Sequence, residues 1–352
     1  MTDQVGGTEA EDSARIAVRG VSKIFGPAPE EAHRLSREGL SKAEVLERTG
    51  CVVAVNDVSF TVGAAEIFVV MGLSGSGKST LVRCLNRLQP PTAGEVLIDG
   101  ENICDASDER LRALRLEKIT MVFQHFALLP HRSVVENAEY GLKMRGMPTA
   151  ERREKAMKTL ASVGLADWAH RPPGDLSGGM QQRVGLARAL ALDPEILLMD
   201  EPFSALDPLI RQDMQKELIE LQRSHQTTII FITHDLNEAL TLGDRVAVMK
   251  DGAFSQVGTP PEIVLSPADD YVAAFTRDID RGRVLPVRAA LRSKDLPAGA
   301  EGLTKVDGSR RMVEVLELAS RGPLLVTGTG GLPEGVVTAE DVAALLAPPQ
   351  EG

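Results

Sequence analysis

The sequence has no hydrophobic run long enough to cross a bilayer, which takes about 18–20 consecutive apolar residues. Apolar segments such as 67–71 and 228–232 have the length of a single strand. The N-terminus is polar and acidic, unlike a secretory signal peptide. From the sequence we therefore expect any tie to a membrane to come through a partner protein.

The sequence also has few cysteines and fewer basic than acidic residues. The three cysteines, Cys51, Cys84 and Cys104, show neither metal-ligand spacing nor an even disulfide framework, which favours a reducing cytoplasm. Lys and Arg number 39 against 50 Asp and Glu, so the formal net charge is -11. This balance argues against bulk nucleic-acid binding. What remains is an ordinary globular composition over 352 residues, enough for one large α/β domain and a small appendage.

Strand and helix patterns alternate along most of the chain. The predicted strands are 16–25, 52–62, 67–71, 119–123, 196–199 and 228–232. The predicted helices are 30–47, 78–88, 108–116, 134–144, 149–163, 180–191 and 209–225. This alternation predicts an α/β fold with a parallel sheet covered on both faces. Residues 1–15 are expected to be a disordered leader.

A glycine-rich loop between an apolar strand and a helix matches the pattern of a phosphate-binding loop (P-loop). Its glycines let backbone amides point at a β-phosphate, Lys78 supplies a positive charge and Ser79 offers a hydroxyl to Mg²⁺. The alternative, a glycine-rich turn that binds nothing, is disfavoured by the strand–loop–helix context. The predicted nucleotide-binding residues here are Gly72, Ser74, Gly75, Ser76, Gly77, Lys78, Ser79 and Thr80.

Acidic and polar side chains follow three of the predicted strands. Asp200 is the expected Mg²⁺ partner, and Glu201 can polarise an attacking water as general base. His234, at the carboxyl end of its strand, can reach a γ-phosphate, and Gln124 can bind Mg²⁺ and water together. Taken singly, His234 is equally explained as a structural histidine and Gln124 as a surface loop residue.

A second glycine loop, Ser177, Gly178 and Gly179, opens the helix at 180–191. Bare glycine amides and a serine hydroxyl at a helix N-terminus bind an anion such as phosphate. Because the P-loop already provides one phosphate site, we expect this loop to hold the nucleotide of another subunit. The segment 204–207, which ends in Asp207, either lines that subunit contact or caps the next helix.

These elements, in this order, resemble the ATP-binding subunits of ATP-binding-cassette (ABC) transporters over roughly residues 16–275. The resemblance implies a P-loop NTPase domain at 16–280 with a mixed sheet, an inserted helical segment at 27–50 and a helical subdomain at 125–190. It implies Mg²⁺ and ATP as cofactors.

The same resemblance implies roles for the motif residues. Gln124 would be the Q-loop, residues 177–179 the signature, Asp207 the end of the D-loop and His234 the switch histidine. A head-to-tail homodimer would hold each ATP between Lys78 of one subunit and the signature of the other. That dimer would bind transmembrane permease subunits at the cytoplasmic face of the plasma (inner) membrane.

A closer resemblance, to glycine betaine/proline (quaternary ammonium) importers, is carried by residues 39–42, 66–79, 123–131 and 203–211. It implies a transport-coupled ATPase that energises osmolyte uptake together with an extracytoplasmic solute-binding protein. Two alternatives stay open: an importer of another small solute, such as a polyamine or amino acid, or a non-transport ABC ATPase. The latter usually carries coiled-coil insertions or two cassettes, which this sequence does not show.

One family position has no clear counterpart, the aromatic residue that stacks on adenine shortly before the second strand. The inserted segment separates Phe25 from that strand, and residues 51–54 are Cys-Val-Val-Ala. Two interpretations stay open: Phe25 folds back onto the base, or base recognition is loose.

The composition changes near residue 280, where glycine and proline rise and aromatic residues stop. Residues 322–326 and 335–342 resemble one cystathionine-β-synthase (CBS) motif, which implies a small α+β regulatory domain at 284–352. It would pair with its copy across the dimer or merely cap the dimer. Its basic residues suit either an anionic partner or a solvated surface: Arg283, Arg288, Arg292, Lys294, Arg310 and Arg311.

Overall fold

The computed structural model describes residues 14–124, 127–292, 296 and 300–347. The chain divides into two compact units. The first, which we call the N-terminal unit, comprises the described residues up to Asp235 together with Ala247–Phe254. The second, the C-terminal unit, comprises Leu236–Val246 and the described residues from Ser255 onward. Most of the expected leader lies outside the described residues.

The N-terminal unit contains a four-stranded antiparallel sheet of order β2-β1-β4-β5. Its strands are β1 (Ile16–Phe25), β2 (Val52–Val62), β4 (Ala93–Ile98) and β5 (Glu101–Asn102). The predicted bounds of β1 and β2 are confirmed, whereas β4 and β5 were missed because they are short and only partly buried. Asp57 has a φ of +51°, and the β1–β2 register shifts beside it, which marks a β-bulge.

A six-stranded sheet has the order β10-β9-β3-β8-β7-β6. Its strands are β3 (Ile67–Met71), β6 (Ile119–Val122), β7 (Ile196–Asp200), β8 (Thr228–Thr233), β9 (Arg245–Lys250) and β10 (Ala253–Gly258). Strands β3, β8, β7 and β6 are parallel, and every residue of β3, β7 and β8 is buried. The predicted parallel sheet is therefore confirmed for these four strands, and its carboxyl edge gathers the ends of β3, β7 and β8.

Nine α-helices are described in the N-terminal unit. They are α1 (Pro29–Arg37), α2 (Lys42–Thr49), α3 (Lys78–Leu85), α4 (Asp108–Glu117), α5 (Val134–Ala138), α6 (Tyr140–Met144), α7 (Thr149–Ser162), α8 (Gly178–Leu190) and α9 (Pro208–His225). The single helix predicted at 30–47 is wrong, because Gly39 at φ +91° ends it and Ser41 caps a new one. Helix α3 stops three residues earlier than predicted, since Arg87 takes a φ of +52°.

The inserted segment forms a small hydrophobic core of its own with the ends of β1 and β2. Ala32 and Leu35 from α1 and Val45 from α2 are buried in a cluster with Ile24 and Val53. Ser41 caps α2 with a reciprocal capping box, as the spacing to Glu44 predicts, and Gly50 ends α2 in the left-handed conformation. These contacts hold the α1–α2 hairpin against the start of β2.

The larger core lies between the two sheets and α3. Phe60 from β2 stacks on Phe68 from β3 with ring centroids 4.8 Å apart. Leu81 and Leu85 from α3 are buried in the same cluster. This packing fixes the position of α3, and therefore of the glycine loop that precedes it.

The C-terminal unit contains the helices α10 (Leu236–Leu242), α11 (Pro260–Leu265), α12 (Asp270–Thr276), α13 (Arg281–Val284), α14 (Leu316–Arg321) and α15 (Ala339–Leu346). A three-stranded sheet of order β11-β12-β13 joins β11 (Thr304–Asp307), β12 (Leu324–Thr327) and β13 (Pro333–Val337). β11 and β12 are parallel, and β12 and β13 are antiparallel. None of the helices described in either unit is both long and apolar enough to span a bilayer.

Several basic residues of the C-terminal unit are engaged in ion pairs within the chain. Arg292 lies 2.8 Å from Asp341, Arg310 lies 3.1 Å from Glu314, and Arg283 lies 3.2 Å from an aspartate three residues earlier. Lys294 lies outside the described residues. These three arginines therefore have acidic partners within the chain, and both interpretations of the basic residues stay open.

Candidate nucleotide site

A cavity of about 490 Å³ in the N-terminal unit lies at the glycine loop, a volume typical of small-molecule sites. The glycine loop, polar side chains, α2, the start of β2 and the turn after β9 all contribute to its lining. Its lining residues are Lys42, Ala43, Leu46, Val52, Val53, Ala54, Ser74, Gly75, Gly77, Lys78, Ser79, Thr80, Gln124, Glu201 and Asp251.

Two glycines of the loop are required by close backbone contacts. Gly72 has a φ of +155°, and a Cβ there would lie 2.2 Å from the carbonyl oxygen of Met249. Gly77 has a φ of +108°, and its Cβ would lie 2.2 Å from the carbonyl oxygen of Ala54. Because neighbouring backbone closes on both ends of the loop, the loop is preformed and leads directly into α3.

Lys78 begins α3 and is 4% exposed. Its Nζ donates hydrogen bonds to the carbonyl oxygens of Gly72, at 2.8 Å, and Leu73, at 2.9 Å. Burial lowers the pKa of this amine, whereas the nearby carboxylates of Glu201 and Asp200 raise it. The loop thus holds a partly desolvated positive charge, which an anionic group in the cavity would stabilise.

The end of β7 supplies a buried carboxylate beside this loop. Asp200 is 0% exposed, and its Oδ1 accepts a hydrogen bond of 2.8 Å from the Ser79 hydroxyl. Its other oxygen, Oδ2, is buried without a hydrogen bond and lies 3.6 Å from Arg83. Burial raises the pKa of Asp200, and the Ser79 hydrogen bond and Arg83 oppose that shift.

This donor set fits Mg²⁺. A hydroxyl and a carboxylate with one unused oxygen are hard oxygen ligands, and Mg²⁺ usually takes one or two such protein ligands together with phosphates and water. Among the described residues there is no group of three or more His, Cys, Asp or Glu that would hold a metal alone. The geometry therefore suits an ion bound jointly with a phosphate ligand.

The three predicted catalytic residues meet at one carboxylate oxygen. Oε2 of Glu201 lies 3.0 Å from Nδ1 of His234 and accepts a 3.4 Å hydrogen bond from Nε2 of Gln124. Glu201 has a φ of +47°, in the left-handed region that favours glycine. Its amide donates to the carbonyl of Ile232 in β8, which secures this conformation. The carboxylate is thereby aimed at the phosphate end of the cavity.

Gln182 is a residue of the site that no sequence motif indicated. This residue of α8 is 2% exposed; its Nε2 donates to the carbonyl oxygen of Glu201 at 3.4 Å, and its Oε1 accepts from the amide of Ala205 at 3.2 Å. A buried amide side chain on an Ala- and Leu-rich helix was the available signal, because such a group must find partners. Gln182 connects the signature helix to the segment after β7.

The second glycine loop lies outside the cavity of its own chain. Ser177 caps α8 by accepting from the amide of Met180, and Gly178 is exposed. A Cβ on Gly179 would lie 3.3 Å from the carbonyl oxygen of Ala205. Asp207 caps α9 by accepting from Ile210. None of the four predicted residues of these loops is among those lining the cavity.

Phe25 is likewise absent from the cavity lining. It is 40% exposed, pairs with Val52 across the β1–β2 ladder, and lies under the Lys23 ammonium at 5.0 Å from its ring centroid. The apolar part of the lining includes Leu46 of α2 and Val52. No sequence motif indicated that α2 belongs to a site.

Comparison with known proteins agrees with these motifs. The profile of the ABC transporter family matches residues 55–204. The chain is 49% identical over 336 residues to the glycine betaine/proline betaine transport system ATP-binding protein ProV of Salmonella typhimurium, covering 96% of this chain and 84% of that one. This chain belongs to the ABC transporter family. It is therefore an ATP-hydrolysing subunit coupled to transport, as the motif order predicts.

Other relatives extend the comparison. The glycine betaine transport ATP-binding protein OpuAA of Bacillus subtilis is 56% identical over 275 residues, 78% of this chain and 66% of that one. The trimethylamine N-oxide transport system ATP-binding protein TmoW of Pelagibacter ubique is 50% identical over 273 residues, 77% of this chain and 80% of that one.

A solved dimeric ATP-binding cassette in a post-hydrolysis state, bound to ADP and Pi, is 33% identical with a TM-score of 0.61. It matches 70% of this chain and 98% of that one. The expected P-loop NTPase fold with mixed sheets is thereby confirmed for the ATPase part of the chain.

Proposed function

We propose that this ATPase energises import of glycine betaine and proline-type osmolytes through a membrane permease. The supporting observation is the extent of the similarity to ProV, which covers 96% of the chain and so reaches beyond the cassette profile at 55–204. The permease would hold the subunit at the cytoplasmic face of the membrane, and an extracytoplasmic binding protein would deliver the solute.

In the proposed reaction, ATP lies in the cavity with its phosphates on the P-loop. Lys78 and the loop amides, including those of Ser74, Gly75 and Thr80, contact the phosphates. Ser79 and Asp200, with Gln124, would hold Mg²⁺, which supplies positive charge to the phosphate oxygens. This assignment is supported by the two oxygens of the Asp200 carboxylate. Oδ1 accepts a hydrogen bond from Ser79, and Oδ2 accepts none.

Glu201 is the proposed general base that takes a proton from the attacking water. His234 and Gln124 position this carboxylate and contact the γ-phosphate side of the site. The support for this role is that both side chains contact the same oxygen of Glu201. Gly72 and Ser76 are part of the loop but do not line the cavity. The Ser76 hydroxyl is buried without a hydrogen-bond partner and lies beside Gly72.

A second copy of the chain completes each site in this proposal. Ser177, Gly178 and Gly179 present a hydroxyl and free amides at the start of α8 but do not line their own cavity. In a head-to-tail homodimer they contact the γ-phosphate of the partner's ATP, and Asp207 lies at the contact between the subunits. Nucleotide binding would then close the dimer and hydrolysis would open it.

We further propose that residues 284–352 act as a single CBS-like regulatory segment. The support is the order of its elements, β11, α14, β12, β13 and α15, with Thr338 and Asp341 joined in a capping box at α15. A chain truncated after residue 283 should hydrolyse ATP but lose any dependence of transport on ionic strength or added nucleotide.

Uptake measurements test the solute. A host that lacks this gene is complemented with it in the presence of a permease and a binding protein, and radiolabelled solutes are supplied at high osmolarity. Where a glycine betaine permease and its binding protein are supplied, glycine betaine uptake should be restored by the wild type and not by Glu201→Gln. Uptake of trimethylamine N-oxide, a polyamine or an amino acid without glycine betaine uptake would assign another solute.

A further inference from the structure

Gln124 has only a weak direct contact to hold it in the position that the proposed reaction needs. Its Nε2 lies 3.4 Å from Oε2 of Glu201, which is longer than most N–H···O hydrogen bonds. Gln124 follows β6, and the next described residue along the chain is Ala127. Because consecutive Cα atoms are about 3.8 Å apart, the position of Ala127 limits how far Gln124 can move.

Ala127 has a strained backbone that a side chain of α8 stabilises. Its φ of +44° lies in the left-handed region, which is unusual for a residue that carries a Cβ. Nη1 of Arg188 on α8 donates a 2.7 Å hydrogen bond to the carbonyl oxygen of Ala127. Burial lowers the pKa of Arg188, so this guanidinium is partly withdrawn from water. A short hydrogen bond from a charged donor therefore fixes the strained residue.

The chain just beyond Ala127 is held by a buried side chain of α5. Asn137 is 0% exposed, and its Oδ1 accepts a 2.7 Å hydrogen bond from the amide of Leu129. Its Nδ2 donates a 3.1 Å hydrogen bond to the carbonyl oxygen of the same residue. Arg188 extends this support to Ala127, which lies nearer to Gln124 in the chain.

Helix α8 thus contacts two residues of left-handed backbone near the site. Gln182 donates to the carbonyl oxygen of Glu201, whose φ is +47°, and Arg188 donates to that of Ala127. Because both donors belong to one helix, α8 fixes the backbone on the Gln124 side and on the Glu201 side of the site relative to each other.

We propose that Arg188 is a positioning residue for ATP hydrolysis, which holds Gln124 against Glu201 through its hydrogen bond to the carbonyl of Ala127. The proposal rests on the roles proposed above for Gln124 and Glu201. Arg188 itself does not line the cavity. Its effect on the reaction therefore passes through Gln124, and this predicts a specific kinetic pattern.

Steady-state ATPase kinetics of the full chain measure this pattern. Arg188→Met removes the donor but keeps a long unbranched side chain. Its kcat should fall by about fivefold to tenfold and its KM for ATP should stay within about twofold, because a misplaced Gln124 raises the barrier without weakening binding. Arg188→Lys keeps a cation that can donate to one carbonyl, so it should retain about half of the wild-type kcat or more.

A double variant separates this role from a purely structural one. In a Gln124→Ala background, Arg188→Met should lower kcat by less than about twofold, since the side chain that Arg188 positions is already absent. A general folding defect would instead lower kcat by the same factor in both backgrounds, and that result would overturn the proposal. An unchanged kcat in Arg188→Met, or a raised KM alone, would overturn it as well.

Arg183→Met is the matched control. Arg183 lies on the same helix, and its Nη1 donates a 2.9 Å hydrogen bond to the carbonyl oxygen of Val163, which follows α7. Its kcat should stay within about twofold of the wild type; a loss equal to that of Arg188→Met would contradict a specific role for Arg188.

The Gln124→Ala variant alone distinguishes the two levels of the proposal. A wild-type kcat in Gln124→Ala would overturn the proposed function of Gln124 in hydrolysis. A lowered kcat in Gln124→Ala together with a wild-type kcat in Arg188→Met would overturn the role of Arg188 and leave that of Gln124 intact.

Discussion

At the residue scale, the geometry of Glu201 depends on a strained backbone. Its φ of +47° is held by the hydrogen bond that the Glu201 amide donates to the carbonyl of Ile232 and by the side chain of Gln182, which contacts the carbonyl of Glu201 and the amide of Ala205. Gln182 is a positioning residue in this arrangement, since it reaches the proposed base only through the backbone.

Replacing Gln182 should therefore affect catalysis and not binding. We expect Gln182→Leu to lower kcat by about tenfold while leaving the KM for ATP nearly unchanged, because a misplaced base raises only the barrier. Steady-state ATPase kinetics measure this. Gln182→Glu keeps the acceptor for Ala205 and should lose less activity; a higher KM at unchanged kcat would contradict the role.

Asp200 illustrates a conflict between function and stability. Burial raises its pKa, so the native state favours the protonated form. Its contribution to stability is therefore full at acid pH and is lost as the pH rises through the raised native pKa. Above that pKa the free chain carries a buried, incompletely paired carboxylate.

Asp200→Asn should accordingly stabilise the nucleotide-free chain by roughly 1–3 kcal/mol at pH 8 and abolish Mg²⁺-dependent hydrolysis. Thermal unfolding at pH 5 and pH 8 tests this, and the gain should shrink at the lower pH. A lower melting temperature than the wild type at pH 8 would show that the carboxylate is stabilising.

At the element scale, α2 is short and depends on its caps. Its eight residues are too few to form a stable helix alone, and Ser41 satisfies the first turn through the capping box with Glu44. Because α2 lines the cavity, its local stability and the ATP affinity should change together.

We expect Ser41→Ala to destabilise the hairpin by about 1 kcal/mol, to accelerate hydrogen exchange at residues 29–50 and to weaken ATP binding. Ser107→Ala is a suitable control, since Ser107 caps α4 by the same type of hydrogen bond and does not line the cavity. Faster exchange in the hairpin with unchanged ATP affinity would show that α2 does not contribute to nucleotide binding.

Whether an element could be predicted depended on its length and burial. The bounds of β1, β2 and β3 were correct because each is a long or fully buried run between clear turns. β4 was missed because only two of its six residues are buried, which gives little periodicity. The predicted helix at 134–144 proved to be two short helices that meet at Glu139.

At the scale of the whole molecule, Ser177 does not line the cavity of its own chain, and this predicts how two subunits assemble. If each site combines the P-loop of one subunit with the signature of another, two different defects can complement each other. Lys78→Ala destroys the P-loop half and Ser177→Arg the signature half, so each homodimer should be inactive.

Mixing the two variants with the permease should restore ATPase activity to about a quarter of the wild-type level. Random pairing makes half the dimers mixed, and each mixed dimer has one intact site of two. ATPase activity against mixing ratio measures this, with each variant alone as the control. No recovery at any ratio would indicate that each chain forms its site alone.

The residues expected to contact phosphate and Mg²⁺ can be recognised from the sequence alone. They lie in short motifs, so that Gly72 to Ser79, Asp200 with Glu201 and Ser177 to Gly179 can be recognised from local spacing, and the parallel strands bring their ends to one edge. The tertiary structure was needed to place α2 in the lining of the cavity and Gln182 against the backbone of Glu201. Those contacts join residues far apart in the chain, and their side chains are common types whose meaning comes from what they pack against.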